Sequence, residues 1–151
     1  MKLKKKFIQE TCLLETSFSY IMKVEVKIMK FFKCKHCGKI IAVVNDTPVP
    51  TICCGEAMEE LLPNTQDGVH EKHIPIFEVK DNVVHVKVGE VDHPMMEAHY
   101  IMWIALQTNM GNQRKVLKPG EKPEACFALL PGEKVVRVFE YCNLHGLYAT
   151  L

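Results

Sequence analysis

Ile74-Pro75-Ile76-Phe77-Glu78-Val79-Lys80-Asp81-Asn82-Val83-Val84-His85-Val86-Lys87-Val88 has the pattern of a β-hairpin. Two runs rich in β-branched residues flank Asp81-Asn82, a residue pair suited to a two-residue hairpin turn. In the second run His85 and Lys87 share one face, opposite Val84, Val86 and Val88, so His85 is expected on a strand in contact with solvent. Towards the C-terminus further apolar runs recur at 100–107, 113–117, 125–130, 135–140 and 147–151. Between them stand Asn109-Met110-Gly111-Asn112, Lys118-Pro119-Gly120 and Pro131-Gly132. About seven short strands with turn residues between them, and no helical period, predict an antiparallel β-sandwich over residues 66–151. Trp103 and Tyr100 are expected in its core, and Cys126 is expected there as a buried apolar thiol.

Upstream of the hairpin, Pro63-Asn64-Thr65-Gln66-Asp67-Gly68 reads as a linker, with His70 exposed just beyond it. Residues 30–65 form a separate unit. Cys34-Lys35-His36-Cys37-Gly38 precedes Cys53-Cys54-Gly55 in a segment too short to bury an adequate core. Four thiolates on one ion supply the missing stability, because metal-binding free energy becomes folding free energy. Gly38 suits a positive φ. The adjacent Cys53 and Cys54 require a bend, since neighbouring side chains on a strand point to opposite faces. His36 is expected outside a shell that four sulfurs already complete. A zinc ribbon and an iron tetrathiolate both fit, and a disulfide pair is the third reading.

The bulk numbers set limits. The 151 residues are 48% hydrophobic and 25% charged, with a net charge of +1, which suits a globular chain and gives no case for nucleic acid. Seven Lys face three Glu in residues 1–30. That basic start resembles a signal peptide, but Glu10 and Glu15 interrupt the apolar run, and no stretch approaches the ~20 apolar residues of a membrane span. The expected location is the cytoplasm, where seven cysteines point to metals rather than disulfides. Residues 1–29 read as a disordered extension or a misassigned start, with Cys12 as a free thiol.

The chemistry concentrates in Glu140-Tyr141-Cys142-Asn143-Leu144-His145-Gly146. A Cys and a His three apart in a turn between apolar runs reach one ion from the same side. His73, His93 and His99, each beside a residue that restricts the backbone or packs, add three imidazoles. Four imidazoles and one thiolate suit a redox-active transition metal, whereas Ca²⁺ and Mg²⁺ prefer oxygen. Backbone N–H groups of Leu144 and His145 are placed to hydrogen-bond to the Cys142 sulfur. A cupredoxin-type copper carrier also combines a β-sandwich with a late Cys/His loop. Its usual Met after the Cys is missing here, and two histidines would be left without a role. A zinc-binding interaction module explains only the four N-terminal cysteines.

Taken together, Cys34-x-x-Cys37, Cys53-Cys54-Gly55-Glu56-x-Met58, Glu71-Lys72-His73-x-Pro75, His93-Pro94-Met95-x-x-x-His99-Tyr100, Leu117-Lys118-Pro119-Gly120 and Glu140-Tyr141-Cys142-Asn143-Leu144-His145-Gly146 resemble desulfoferrodoxin, the two-iron form of superoxide reductase. The resemblance spans residues 30–151 and leaves 1–28 unmatched. It implies an all-β chain in which a small rubredoxin- or desulforedoxin-like domain precedes an immunoglobulin-like antiparallel sandwich. It also implies two iron ions and neither haem nor flavin. Cys34, Cys37, Cys53 and Cys54 would hold one iron, while His73, His93, His99 and His145 with axial Cys142 would hold the other. The implied reaction is one-electron reduction of superoxide to hydrogen peroxide. Lys72 would attract the anion from a mobile loop and orient a proton-donating water, and Glu71 would ligate the oxidised iron. A homodimer and a donor such as rubredoxin are the implied partners. A non-catalytic iron or copper electron carrier is the alternative.

Overall fold

The computed structural model describes residues 26–65 and 70–150. The extension before residue 26, with Cys12, lies outside the described residues, as do 66–69 of the linker and residue 151. The small unit begins with β1 (Phe31–Lys33), flanked by β2 (Ile40–Ala42) and β5 (Glu59–Glu60) in one antiparallel sheet. A second pair, β3 (Ile52–Cys53) and β4 (Glu56–Ala57), folds back on itself. Its turn carries the expected bend, with φ of 52° at Cys54 and 83° at Gly55.

The larger unit opens with the short helix α1 (His70–His73), which the sequence does not announce, because a single turn is too short to show a period. Next comes the hairpin of β6 (Pro75–Lys80) and β7 (Val83–Val88), paired in the register Glu78↔His85 and Lys80↔Val83. Asp81 and Asn82 both adopt positive φ, 50° and 59°, the backbone of the turn that matches strand twist. The remaining strands are β8 (Ile101–Thr108), β9 (Asn112–Val116), β10 (Glu124–Ala128), β11 (Val135–Cys142) and β12 (Gly146–Ala149). They complete a sandwich of two sheets, β10-β7-β6 and β12-β11-β8-β9, in which every pair is antiparallel.

Alternation along β8 divides the packing. Ile104 and Leu106 join Val84, Val86, Val88, Phe127 and Val138 between the two sheets. Trp103 and Ala105 face the other way and join Phe139, Tyr141 and Leu147 around Phe31 of the small unit. The Phe31 ring lies 5.0 Å from Trp103 and 5.3 Å edge-on to Phe139. The four-stranded sheet is therefore covered on both faces. Trp103 is buried as expected, and Tyr100 is half-buried just ahead of β8.

Cys126 corrects the sequence reading. It is exposed, because Ala125 and Phe127 take the inward positions of β10 and leave Cys126 outside, opposite the equally exposed His85. Its Sγ lies 3.4 Å from His85 Nδ1.

Candidate metal centres

One end of the sandwich gathers five side chains from four separate segments. His73 closes α1 immediately before β6, and the turn is fixed from below by the Gly89 bend. The N–H of Gly89 donates to Ile74 O at 3.2 Å and that of Val91 to Glu71 O at 3.1 Å. The loop bearing Lys72 is thus a pinned helical turn. His93 follows β7, and His99 precedes β8 in a tight loop closed by paired Met96–His99 backbone bonds of 2.9 and 3.0 Å. Cys142 ends β11 on the interior face that Val138 and Glu140 also take, and a register shift after Tyr141 pairs it with Ile101. His145 sits in the turn into β12.

The ligand atoms of His73, His93, His99, Cys142 and His145 all lie within 4.8 Å of one another. His73 Nε2 is 3.1 Å from His93 Nε2 and 3.0 Å from His145 Nδ1, and Cys142 Sγ is 3.6 Å from His145 Nδ1. His93 Nδ1 donates to Pro94 O at 2.6 Å, which fixes the tautomer and leaves a bare Nε2 aimed into the cluster. Burial lowers the His93 pKa to about 4, and the neighbouring imidazoles push in the same direction. His99 is held low by burial first, then by His145 and by the Lys72 ammonium. His93 and His99 are therefore held towards the neutral form, which binds metals. His99 Nε2 is buried without a hydrogen-bond partner.

This arrangement fits a metal ion. His73 Nε2 has at most one proton to share between two ring nitrogens about 3 Å away, so lone pairs are left facing one another, and the orphaned buried His99 nitrogen also needs a partner. The donor set suits a transition metal. Burial raises the Cys142 thiol, while the backbone N–H groups of His145 and Leu144 pull it down, which agrees with the expected bonds to its sulfur. His73 and His93 are buried, while His99 and His145 are half-buried and border solvent. Lys72, whose charge acts at His99, is half-buried and Glu71 is exposed.

The sulfurs of Cys34, Cys37, Cys53 and Cys54 form the second group, again within 4.8 Å of one another. The backbone N–H of Cys37 draws Cys34 down to about 6. Cys54 is pushed up to about 12 by its sulfur neighbours, Cys37 first. Four sulfurs this close cannot all be thiolates without a cation, so this group also fits a metal. His36 stays outside the shell, exposed, and pairs with Glu56 at 3.1 Å.

The sequence pattern of the family described as desulfoferrodoxin matches residues 65–150, and that of the desulfoferrodoxin N-terminal domain matches residues 27–61. The chain is 46% identical over 122 residues to the desulfoferrodoxin of Syntrophotalea carbinolica, covering 81% of this chain and 95% of that protein. It is 44% identical over 117 residues to the desulfoferrodoxin of Nitratidesulfovibrio vulgaris, covering 78% and 91%. The chain belongs to the desulfoferrodoxin family. A solved structure of the superoxide reductase from Treponema pallidum superposes with a TM-score of 0.70 at 35% identity, covering 83% of this desulfoferrodoxin chain and all of that one. Both matched regions of the desulfoferrodoxin pattern coincide with one ligand group each.

Two features of this desulfoferrodoxin site escape the sequence reading. Tyr148 stacks on His73 at 4.6 Å and 23° between planes, although it reads only as a strand residue. Glu140 is fully buried on the same side of β11 as Val138 and Cys142, and neither carboxylate oxygen has a hydrogen-bond partner among the described residues. Its place in the alternation Val138, Glu140, Cys142 was the available signal.

Proposed function

We propose that the chain is a superoxide reductase that reduces superoxide by one electron to hydrogen peroxide at a mononuclear iron held by His73, His93, His99, His145 and Cys142. A second iron would be held by Cys34, Cys37, Cys53 and Cys54, with the chain divided into 30–65 and 66–151. The observation that carries this reading is the group of four rings and one sulfur whose ligand atoms converge on one another, with two of the rings half-buried at the solvent border. Iron bound there supplies the single electron, and the overall change is superoxide plus one electron plus two protons to hydrogen peroxide.

The chain's own residues supply the rest. Neutral imidazoles leave the positive charge of the centre uncancelled, and burial strengthens its pull on an anion. The Lys72 ammonium, whose field is felt at His99, adds attraction at the entrance and orients a water that can deliver a proton. Glu71, exposed on the same turn, supplies a carboxylate for the oxidised centre. Hydrogen bonds from Leu144 and His145 to the Cys142 sulfur moderate the electron density that it donates. The same reading includes a homodimer, a donor such as rubredoxin and a cytoplasmic location, as the family resemblance implies. No helix among the described residues is long and apolar enough to cross a membrane.

Rapid mixing of the reduced protein with superoxide tests the proposal. The expected result is fast second-order loss of superoxide with peroxide formed and no dioxygen released by the enzyme. A plain electron carrier would leave superoxide to decay at its spontaneous rate.

A further inference from the structure

We infer that Asn143 is a positioning residue that sets the five-ligand centre by clamping the His99 loop to the Cys142–His145 turn. The inference rests on the reading of that cluster as a metal centre. Asn143 lies between two ligands in sequence, and besides a long contact of 3.9 Å from the Cys142 thiol to its Oδ1, its hydrogen bonds reach across to the His99 loop. Its side-chain Oδ1 accepts from the Tyr100 N–H at 2.9 Å, and its Nδ2 donates to Ala98 O at 3.0 Å. Its backbone N–H donates to Tyr100 O at 3.1 Å. The three bonds grip the chain on both sides of His99, one residue before it and one after.

The amide orientation follows from its partners. A backbone N–H needs an acceptor and a carbonyl needs a donor, so only one placement of Oδ1 and Nδ2 satisfies both. Few other side chains can replace it. Aspartate would keep the acceptor for Tyr100 but set a carboxylate oxygen against Ala98 O, and alanine would lose both bonds.

The clamp matters because of what the two loops carry. Cys142 and His145 are fixed to each other by the short turn between them. His99 arrives on a loop whose other local ties are the Met96–His99 backbone pair and a bond from the Ile101 N–H to Met95 Sδ at 3.3 Å. Those ties, with the Gly120 N–H bond to Met95 O, shape the His99 loop, and the pairing of Ile101 with Cys142 registers only its far end to the turn. Asn143 adds a grip on the residues either side of His99 itself, through contacts with backbone and with the Cys142 sulfur, so it acts through the ligands.

The test is the affinity of the five-ligand centre for ferrous iron, measured by chelator competition in the full chain, together with the thiolate-to-iron absorption of the oxidised protein. The tetrathiolate centre in the same chain is the internal control. Asn143→Ala is expected to weaken iron at the five-ligand centre by about 10- to 100-fold and to shift its absorption, as loss of a group that orients ligands does. Asn143→Asp is expected to weaken it at least as much. Both should leave the tetrathiolate centre unchanged. An affinity within twofold of wild type with an unshifted absorption would overturn the inference, and so would equal loss at both centres, which would mean general destabilisation. Superoxide plays no part in these measurements. A centre that depends on Asn143 but is inert to superoxide would therefore refute the proposed activity alone.

Discussion

Gly89 shows how a single residue without a side chain shapes the turn that carries Lys72 and His73. It sits at φ +76°, and a Cβ there would meet Lys72 O at 2.6 Å and Val91 O at 2.7 Å, so only glycine lets the bend lie directly under the turn that carries Lys72 and His73. Lys72 itself is expected to act through charge. Lys72→Ala should slow the second-order reaction with superoxide and flatten its dependence on ionic strength while iron content stays the same. An unaltered rate in stopped flow would remove Lys72 from the mechanism. Glu140 makes a prediction about pH. Burial raises its pKa well above the usual 4.5, so in the fold it stays protonated where the unfolded chain has ionised. Unfolding above about pH 4.5 then releases a proton, and stability falls as pH rises. Glu140→Gln removes that slope. Its melting temperature relative to wild type should climb from pH 4.5 to pH 8, by at most about 1.4 kcal/mol of stability per pH unit. A difference independent of pH would contradict this.

Among the elements, the β6–β7 hairpin was the most legible, since Asp81-Asn82 carries its own turn chemistry and the valines of β7 declare their face. Asn82, at φ 59°, tolerates the left-handed region that a β-branched residue resists. Asn82→Val should therefore cost about 1–2 kcal/mol in chemical denaturation, and a neutral result would mean the turn relaxes freely. The site's histidines were legible because each stands beside a distinctive neighbour, and the Cys142–His145 spacing fits a turn. Cys126 was misread because both faces of the run 125–129 are apolar, so alternation alone does not say which one turns inward. Only its pairing opposite His85 decides it. The helical turn at 70–73 and the reach of Asn143 to Ala98 and Tyr100 were hidden for a related reason. They depend on segments over 40 residues apart in sequence or on a single turn, and neither leaves a periodic trace.

At the scale of the whole molecule, the four-stranded sheet joins the two units by burying a different face against each. Phe31 is the main anchor of the small unit, against Trp103 and Phe139, and Lys33 Nζ donates to Tyr141 Oη at 2.9 Å nearby. Phe31→Ala should destabilise the chain by about 3–5 kcal/mol in denaturant unfolding, and a loss below about 1 kcal/mol would show that the contact is incidental. Lys33 precedes Cys34 and Tyr141 precedes Cys142, so this side-chain bond links residues adjacent to the two ligand groups. The account depends above all on those groups being two separate iron centres, with Cys142 serving the second. Iron content and visible absorption of wild type and Cys142→Ala, measured together, test this most directly. Wild type should hold two irons per chain, and Cys142→Ala should lose the absorption of the five-ligand centre while keeping that of the tetrathiolate. Zinc or copper in place of iron, or an unchanged spectrum in Cys142→Ala, would contradict it.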